Sequence, residues 1–184
     1  NLEDLISSVA ANNADIGIAF DGDGDRIGVV TPTGKNIFPD RLMMLLSKHV
    51  LMTNPGADVI FDVKCTRDLP ALISRLGGRP VMSKTGHSFI KSKLKETGAA
   101  LAGEMSGHIF FNDRWFGFDD AIYAAGRVLE IGHEVKEGGN LALHLGVDDM
   151  TVQGEVKLTT WGDAQAATDF HRNNDLAFIG NGDG

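Results

Sequence analysis

From residue 57 onward the sequence switches period again and again. "ADVIFDV" (57–63), "RPVMSK" (79–84), "AALAGE" (99–104) and "GHIFF" (107–111) are short apolar runs of strand length. Between and after them, "RDLPALISRLG" (67–77), "HSFIKSKLKETG" (87–98) and "FDDAIYAAGRVLEI" (118–131) carry apolar residues at helical spacing. Strand and helix in alternation, joined by short Gly-containing turns, predict an α/β fold in which helices cover a sheet. The same order begins earlier: "LEDLISSVAANN" (2–13) spaces Leu2, Leu5, Ile6 and Val9 as a helix does, "ADIGIAF" (14–20) suits a buried strand, and "RIGVVTPTGK" (26–35) is a strand ending in a turn. "PDRLMMLLSKHVL" (39–51) opens a helix on Pro39.

Composition removes several classes of partner. The balance of 25 Asp+Glu against 17 Lys+Arg gives a net charge of −8, without the basic stripe that nucleic-acid backbones require. No apolar run reaches the roughly 18 residues that span a bilayer, and the first residues resemble no secretory signal. Neither nucleic acid nor membrane is expected as a partner, and a cytoplasmic setting is the default. The single cysteine, Cys65, forms no internal disulfide and has no zinc-type spacing to other ligands.

The stretch "IAFDGDGDRIGVV" (18–30) is the chemical signal. Asp21, Asp23 and Asp25 alternate with Gly22 and Gly24, so a tight turn after a strand brings three hard oxygen donors together. Carboxylates a few ångströms apart repel by roughly 3 kcal/mol at an effective dielectric near 20, and a divalent cation offsets that cost. A calcium loop fails, because its sixth and twelfth positions hold Arg26 and Pro32. A dinucleotide fingerprint fails where Ile27 replaces its third glycine. A phosphatase pattern with Asp21 as nucleophile stays open, although Asp25 replaces the small residue expected there. Arg26 beside the acids suits a phosphoryl oxygen next to Mg²⁺.

Further polar groups stand where strands end: Lys64 in "DVKCTR", His87 in "SKTGHS", and Glu104, Ser106 and His108 at alternate positions of "AGEMSGHIFF". On an extended segment those three side chains would share a face, and a carboxylate, a hydroxyl and an imidazole together suit sugar hydroxyls.

Taken in order, "FDGDGDR", "DVKCTR", "KTGHS" and "GEMSGHIFFNDRWFGFDDAIYAAGR" resemble the α-D-phosphohexomutase family, in particular its bacterial phosphomannomutase/phosphoglucomutase branch. The resemblance implies a phosphohexomutase-type domain with a mixed sheet flanked by helices, and reversible conversion of hexose 1-phosphate into hexose 6-phosphate through a hexose bisphosphate. It makes Asp21, Asp23 and Asp25 ligands of Mg²⁺, and Arg26 a contact to a phosphoserine or the transferring phosphoryl group. Glu104 and Ser106 would hold ring hydroxyls, His108 would assist proton transfer, and Lys64 and His87 would line the substrate site.

The resemblance divides the chain at residues 1–25, the end of a second domain with the metal loop, and 26–132, a sugar-recognising third domain. Residues 133–184 form an unassigned C-terminal tail with only short strand-like pieces such as "TVQGEVKLTT". The family's Ser-His-Asn-Pro and Arg-x-Ser-Gly-Thr stretches do not occur in these 184 residues. The expectation is therefore a piece of a mutase, dependent on the missing domains of its own parent chain and inactive alone. Two alternatives remain at this stage, the phosphatase and a non-catalytic sugar-phosphate-binding module.

Overall fold

The computed structural model describes residues 2–138 and 178–180. The strand-like "TVQGEVKLTT" and most of the expected tail lie outside them. Helix α1 (Glu3–Asn12) leads into strand β1 (Gly17–Phe20), which pairs antiparallel with β2 (Ile27–Val30) in register from Gly17↔Val30 to Phe20↔Ile27. A two-residue strand β3 (Asn36–Ile37) extends this sheet on one edge, and β8 (Phe178–Gly180) lies parallel to β1 on the other. The acid loop is thus the tip of a hairpin. A boundary at Asp25 cuts that hairpin, since the strands on its two sides are hydrogen-bonded neighbours.

Helix α2 (Pro39–Thr53) connects to a second sheet of strand order β5-β4-β6-β7. In it β4 (Asp58–Asp62) pairs in parallel with β5 (Arg79–Ser83) and β6 (Leu101–Gly103), while β7 (Ile109–Phe111) returns antiparallel to β6. Helices α3 (Asp68–Arg75) and α4 (His87–Thr97) are the connections on either side of β5, and α5 (Ala121–Gly138) follows β7. This is the α/β fold that the alternating pattern predicts and the mixed sheet flanked by helices that the family resemblance implies, with α5 running past Ile131.

The two faces of the second sheet follow the strand period of two. Val59, Phe61, Leu101, Ile109 and Phe111 join Leu42, Leu46, Leu69, Ile73 and Val128 from α2, α3 and α5 in one buried cluster. Ile60, Ala102 and Phe110 face the other way onto Ile90 and Leu94 of α4. Ile18, Ile27 and Val29 of the hairpin belong to the first cluster, so the acid loop is carried on the same core as the second sheet. On the hairpin's outer face α1 packs through Leu5 and Val9. Its approach depends on Gly17, where a Cβ would stand 2.6 Å from a Val9 methyl.

Candidate functional site

The carboxyl ends of β4, β5 and β6 point to one side, the edge where α/β sheets place ligands. Asp62, the last residue of β4, is fully buried. Its carboxylate accepts hydrogen bonds from the Thr85 hydroxyl at 2.9 Å and the Met105 N–H at 3.3 Å, tying together the loops that follow β5 and β6. Sequence reasoning did not single it out, although it opens the quoted "DVKCTR". Nothing local distinguishes it from any polar strand end.

The loop after β6 is a turn rather than extended chain. The Gly107 N–H donates to the Glu104 carbonyl at 3.1 Å, and Gly107 adopts a φ of +105°. That glycine also allows the close approach of the acid hairpin: a Cβ would lie 3.1 Å from the Ile27 carbonyl oxygen, while the Ile27 N–H donates to the Gly107 carbonyl at 3.2 Å. An isolated bridge pairs Arg26 with His108, and the Ala121 N–H at the start of α5 donates to the Gly24 carbonyl at 3.0 Å. Backbone groups thus stitch the acid loop to the turn and to α5.

Within the loop, Asp21 Oδ1 accepts the N–H groups of Asp25 at 3.1 Å and Arg26 at 3.0 Å, and its Oδ2 is paired with the Arg26 guanidinium. Burial pushes the Asp21 carboxyl up, but the hydrogen bonds and charge of Arg26 outweigh it and hold the group below the usual carboxylate value. The same contact raises Arg26. Asp25 moves upward, because burial and the charges of Asp21 and Asp23 outweigh the attraction of His108. The three acids offer oxygens that all lie within 4.8 Å of one another, close to the ~4 Å span of an octahedral shell with ~2.1 Å bonds. Asp25 Oδ1 is buried with no hydrogen-bond partner. An oxygen-only set with one unspent buried oxygen fits a hard divalent cation such as Mg²⁺.

His108 joins the two halves. Its Nε2 lies 3.3 Å from Asp25 Oδ2, and its Nδ1 lies 2.9 Å from Ser106 Oγ and 3.4 Å from Glu104 Oε2. Glu104 is 1% exposed. Its Oε1 accepts the Gly86 N–H at 2.5 Å, and its Oε2 has no hydrogen-bond partner. His87, the first residue of α4, stacks on His108 with ring centroids 5.6 Å apart. An imidazole with a carboxylate at one nitrogen and a hydroxyl at the other can hold or pass a proton at either end.

Of the residues singled out in the sequence, Asp21, Asp23, Asp25, Arg26, His87, Glu104, Ser106 and His108 therefore come together. Lys64 does not: it is exposed in the turn after β4 and makes no hydrogen bond or ion pair to the others among the described residues. Glu104, Ser106 and His108 meet because the turn folds back, so the extended segment expected for them is corrected. Asp119 and Lys91 were missed. Asp119 sits beside His87, with its Oδ2 3.7 Å from the His87 Nδ1, and Lys91 Nζ holds its Oδ1 at 2.5 Å. The one local hint was a pair of acids before a helix in "FDDAIYAAGR", which more often marks a cap. Asp120 takes that capping role, accepting the Tyr123 N–H at 2.9 Å.

In sequence and in fold the chain is similar to known proteins. The model of phosphoglucomutase/phosphomannomutase α/β/α domain III matches residues 38–145, and that of domain II matches residues 1–34. A phosphomannomutase/phosphoglucomutase of Pseudomonas aeruginosa is 72% identical over 131 residues, 71% of this chain and 28% of its own length. One from Pseudomonas syringae is 54% identical, covering 91% of this chain and 40% of its own. The crystal structure of a phosphoglucomutase/phosphomannomutase family protein from Burkholderia thailandensis superposes with a TM-score of 0.75 at 53% identity, over 86% of this chain and 34% of that one. The chain thus spans well under half the length of these relatives.

Proposed function

The chain belongs to the phosphoglucomutase/phosphomannomutase family, and from that premise we propose that it supplies the metal loop and the sugar-facing wall of an enzyme interconverting hexose 1-phosphate and hexose 6-phosphate of mannose or glucose. The observation that carries this reading is the 3.3 Å contact of His108 Nε2 with Asp25 Oδ2, which makes the acid loop and the Glu104–His108 turn one site. In this reading Asp21, Asp23 and Asp25 hold Mg²⁺, which when bound supplies Lewis acidity at the transferring phosphoryl group. Arg26, half exposed at the loop, contacts phosphoryl oxygens, and its partner is a phosphoserine contributed by a domain outside these residues. Glu104 and Ser106 hold ring hydroxyls. His108 accepts a proton from the attacking hydroxyl, its ring nitrogens lying 3.3 Å from Asp25 Oδ2 and 3.4 Å from Glu104 Oε2. His87 stacks behind it, and Lys64 reaches the substrate from the neighbouring turn.

Two transfers at opposite ends of one sugar require ring contacts that work in both orientations, and a carboxylate accepting from neighbouring hydroxyls meets that need. Nothing in the geometry favours a phosphatase with Asp21 as nucleophile, since Asp21 is occupied by three donors and its basicity is lowered by Arg26. Without the domain carrying the phosphoserine the chain turns over no hexose phosphate.

Burial decides which variant tests this. Because Glu104 Oε1 holds the Gly86 N–H, truncation to alanine costs stability as well as activity, whereas Glu104→Gln keeps an acceptor. With the chain joined to the remaining domains of a family member, Glu104→Gln lowers kcat/KM for glucose 1-phosphate by about 10-fold to 100-fold, or ~1.4–2.7 kcal/mol, at an unchanged urea midpoint. Unaltered kcat/KM overturns the role of Glu104 in holding sugar, and turnover by the purified chain alone overturns the dependence on other domains.

A further inference from the structure

Asp119 is the buried charge that the phosphoryl-transfer reading leaves unused. Its side chain is 7% exposed, one oxygen is held by Lys91, and Oδ2 is buried without a hydrogen-bond partner. Most buried side-chain polar atoms have a hydrogen-bond partner, so an orphaned carboxylate oxygen calls for an explanation. An oxygen of Asp119, an oxygen of Asp25 and a ring nitrogen of His108 lie within 4.8 Å of one another. The His108–Asp25 pair already stands at 3.3 Å, the ~3.3 Å separation of neighbouring ligands around a tetrahedral ion with bonds near 2.0–2.1 Å. His87 Nδ1 lies 3.7 Å from Asp119 Oδ2, and its ring is stacked on that of His108.

The geometry points to a second cation site, formed by Asp25, His108 and Asp119 with His87 as fourth donor, that takes a borderline transition cation such as Zn²⁺. Two imidazoles and two carboxylates are the donor set of such an ion, whereas Asp21, Asp23 and Asp25 offer oxygen alone. Local charge agrees. The carboxylates of Asp21, Asp23, Asp25, Glu104 and Asp119 outnumber the cations beside them, Arg26 and Lys91. Lys91 holds Oδ1 of Asp119, and Oδ2, 3.7 Å from His87 Nδ1, keeps no hydrogen bond. Because Asp25 is common to both sets, an ion in the second site withdraws Asp25 from the first and blocks His108 Nε2. Only this inhibitory consequence rests on the proposed role of His108; the binding itself does not.

The test reads binding on the isolated chain and not turnover, so it fails or succeeds independently of the mutase reading. Zinc chloride is titrated into the chain while the imidazole nitrogens are followed by long-range ¹H–¹⁵N correlation spectra, and affinity is taken from competition with a chromophoric chelator. The His108 and His87 nitrogens shift together on zinc addition. Asp119→Asn weakens zinc binding by about 10-fold or more, while Asp23→Asn, which alters only the oxygen set, leaves it nearly unchanged. Unmoved imidazole nitrogens overturn the site, as does zinc binding lost in Asp23→Asn and kept in Asp119→Asn, which would place the ion among the three loop acids. Should Asp119→Asn fail to fold, His87→Ala takes its place, with a several-fold loss expected and equal affinity counting against the site.

Discussion

Two clusters of charge share the segment between Asp113 and Glu130, and they are balanced in opposite ways. Arg127, 3% exposed, places Nη2 2.9 Å from Asp113 Oδ2 and Nε 3.2 Å from Glu130 Oε2, while its guanidinium lies 4.6 Å from the centre of the Phe111 ring. Arg114 closes the group with a two-pronged contact to Glu130 at 2.9 and 2.7 Å. Positive and negative charges are matched there, and the cluster clamps α5 to the loop after β7. Around His108 the carboxylates are in surplus, and Asp25, Glu104 and Asp119 each keep a buried oxygen without a hydrogen bond. Burial of charge is common to both. Balanced charge marks the cluster that holds the fold, although Arg127 Nε too is buried without a hydrogen bond, and a surplus of buried carboxylate marks the other.

Removing Arg127 should give the largest effect. Arg127→Met strands Asp113 and frees Glu130, and the chain should lose about 3–5 kcal/mol in urea unfolding. A loss well under ~1 kcal/mol would put this cluster on the same footing as an exposed ion pair. Asp25→Asn should act with the opposite sign. It relieves repulsion from Asp21 and Asp23, so the metal-free chain should gain up to about 1 kcal/mol by the same measurement while losing any stabilisation by added Mg²⁺. Destabilisation of the metal-free variant would show that Asp25 is already satisfied and would erase the contrast.

The smallest effect is on acid stability. The hydrogen bond from Arg114 is the main cause holding Glu130 below its ordinary value of 4.5. A carboxylate lowered in the folded state contributes stability above its unfolded value, and that contribution is lost as pH falls through the lowered one. Because Arg114 is 52% and Glu130 35% exposed, the contribution is screened to less than about 1 kcal/mol. Arg114→Ala should therefore leave the unfolding midpoint less dependent on pH below about pH 5, a small flattening seen by comparing urea titrations of the two chains. An unchanged slope would remove Glu130 from the paired set.

Much of this arrangement could be read from local pattern. The five helices of the described residues match the segments with apolar residues at helical spacing, because each buries one stripe of its surface and the spacing of that stripe is fixed by the helix itself. The acid loop was legible for a similar reason: three aspartates alternating with two glycines announce their own chemistry within seven residues of a strand. Strand β3, at two residues, carries too little pattern to be seen. The Glu104–His108 segment was recognised by residue type but assigned the wrong shape, since alternation on paper does not register that Gly107 turns the chain.

By itself the sequence determined the alternation of strands and helices, the run of acids after a strand and the identity of the polar groups at the strand ends, all of which depend on interactions within a few residues. Tertiary structure alone decided which of those groups share a site. Asp25 and His108 are 3.3 Å apart because Gly107 lets the hairpin meet the turn, and Asp119 reaches His87 only because the loop after β7 runs beside the start of α4. Lys64, as conspicuous in the sequence as any of them, makes no polar contact with that cluster among the described residues. Residue type records what a side chain can do. Distance, and with it the surplus of unpaired charge around His108, is set by long-range packing of two sheets on one core, where partners far apart in sequence carry no local signal of one another.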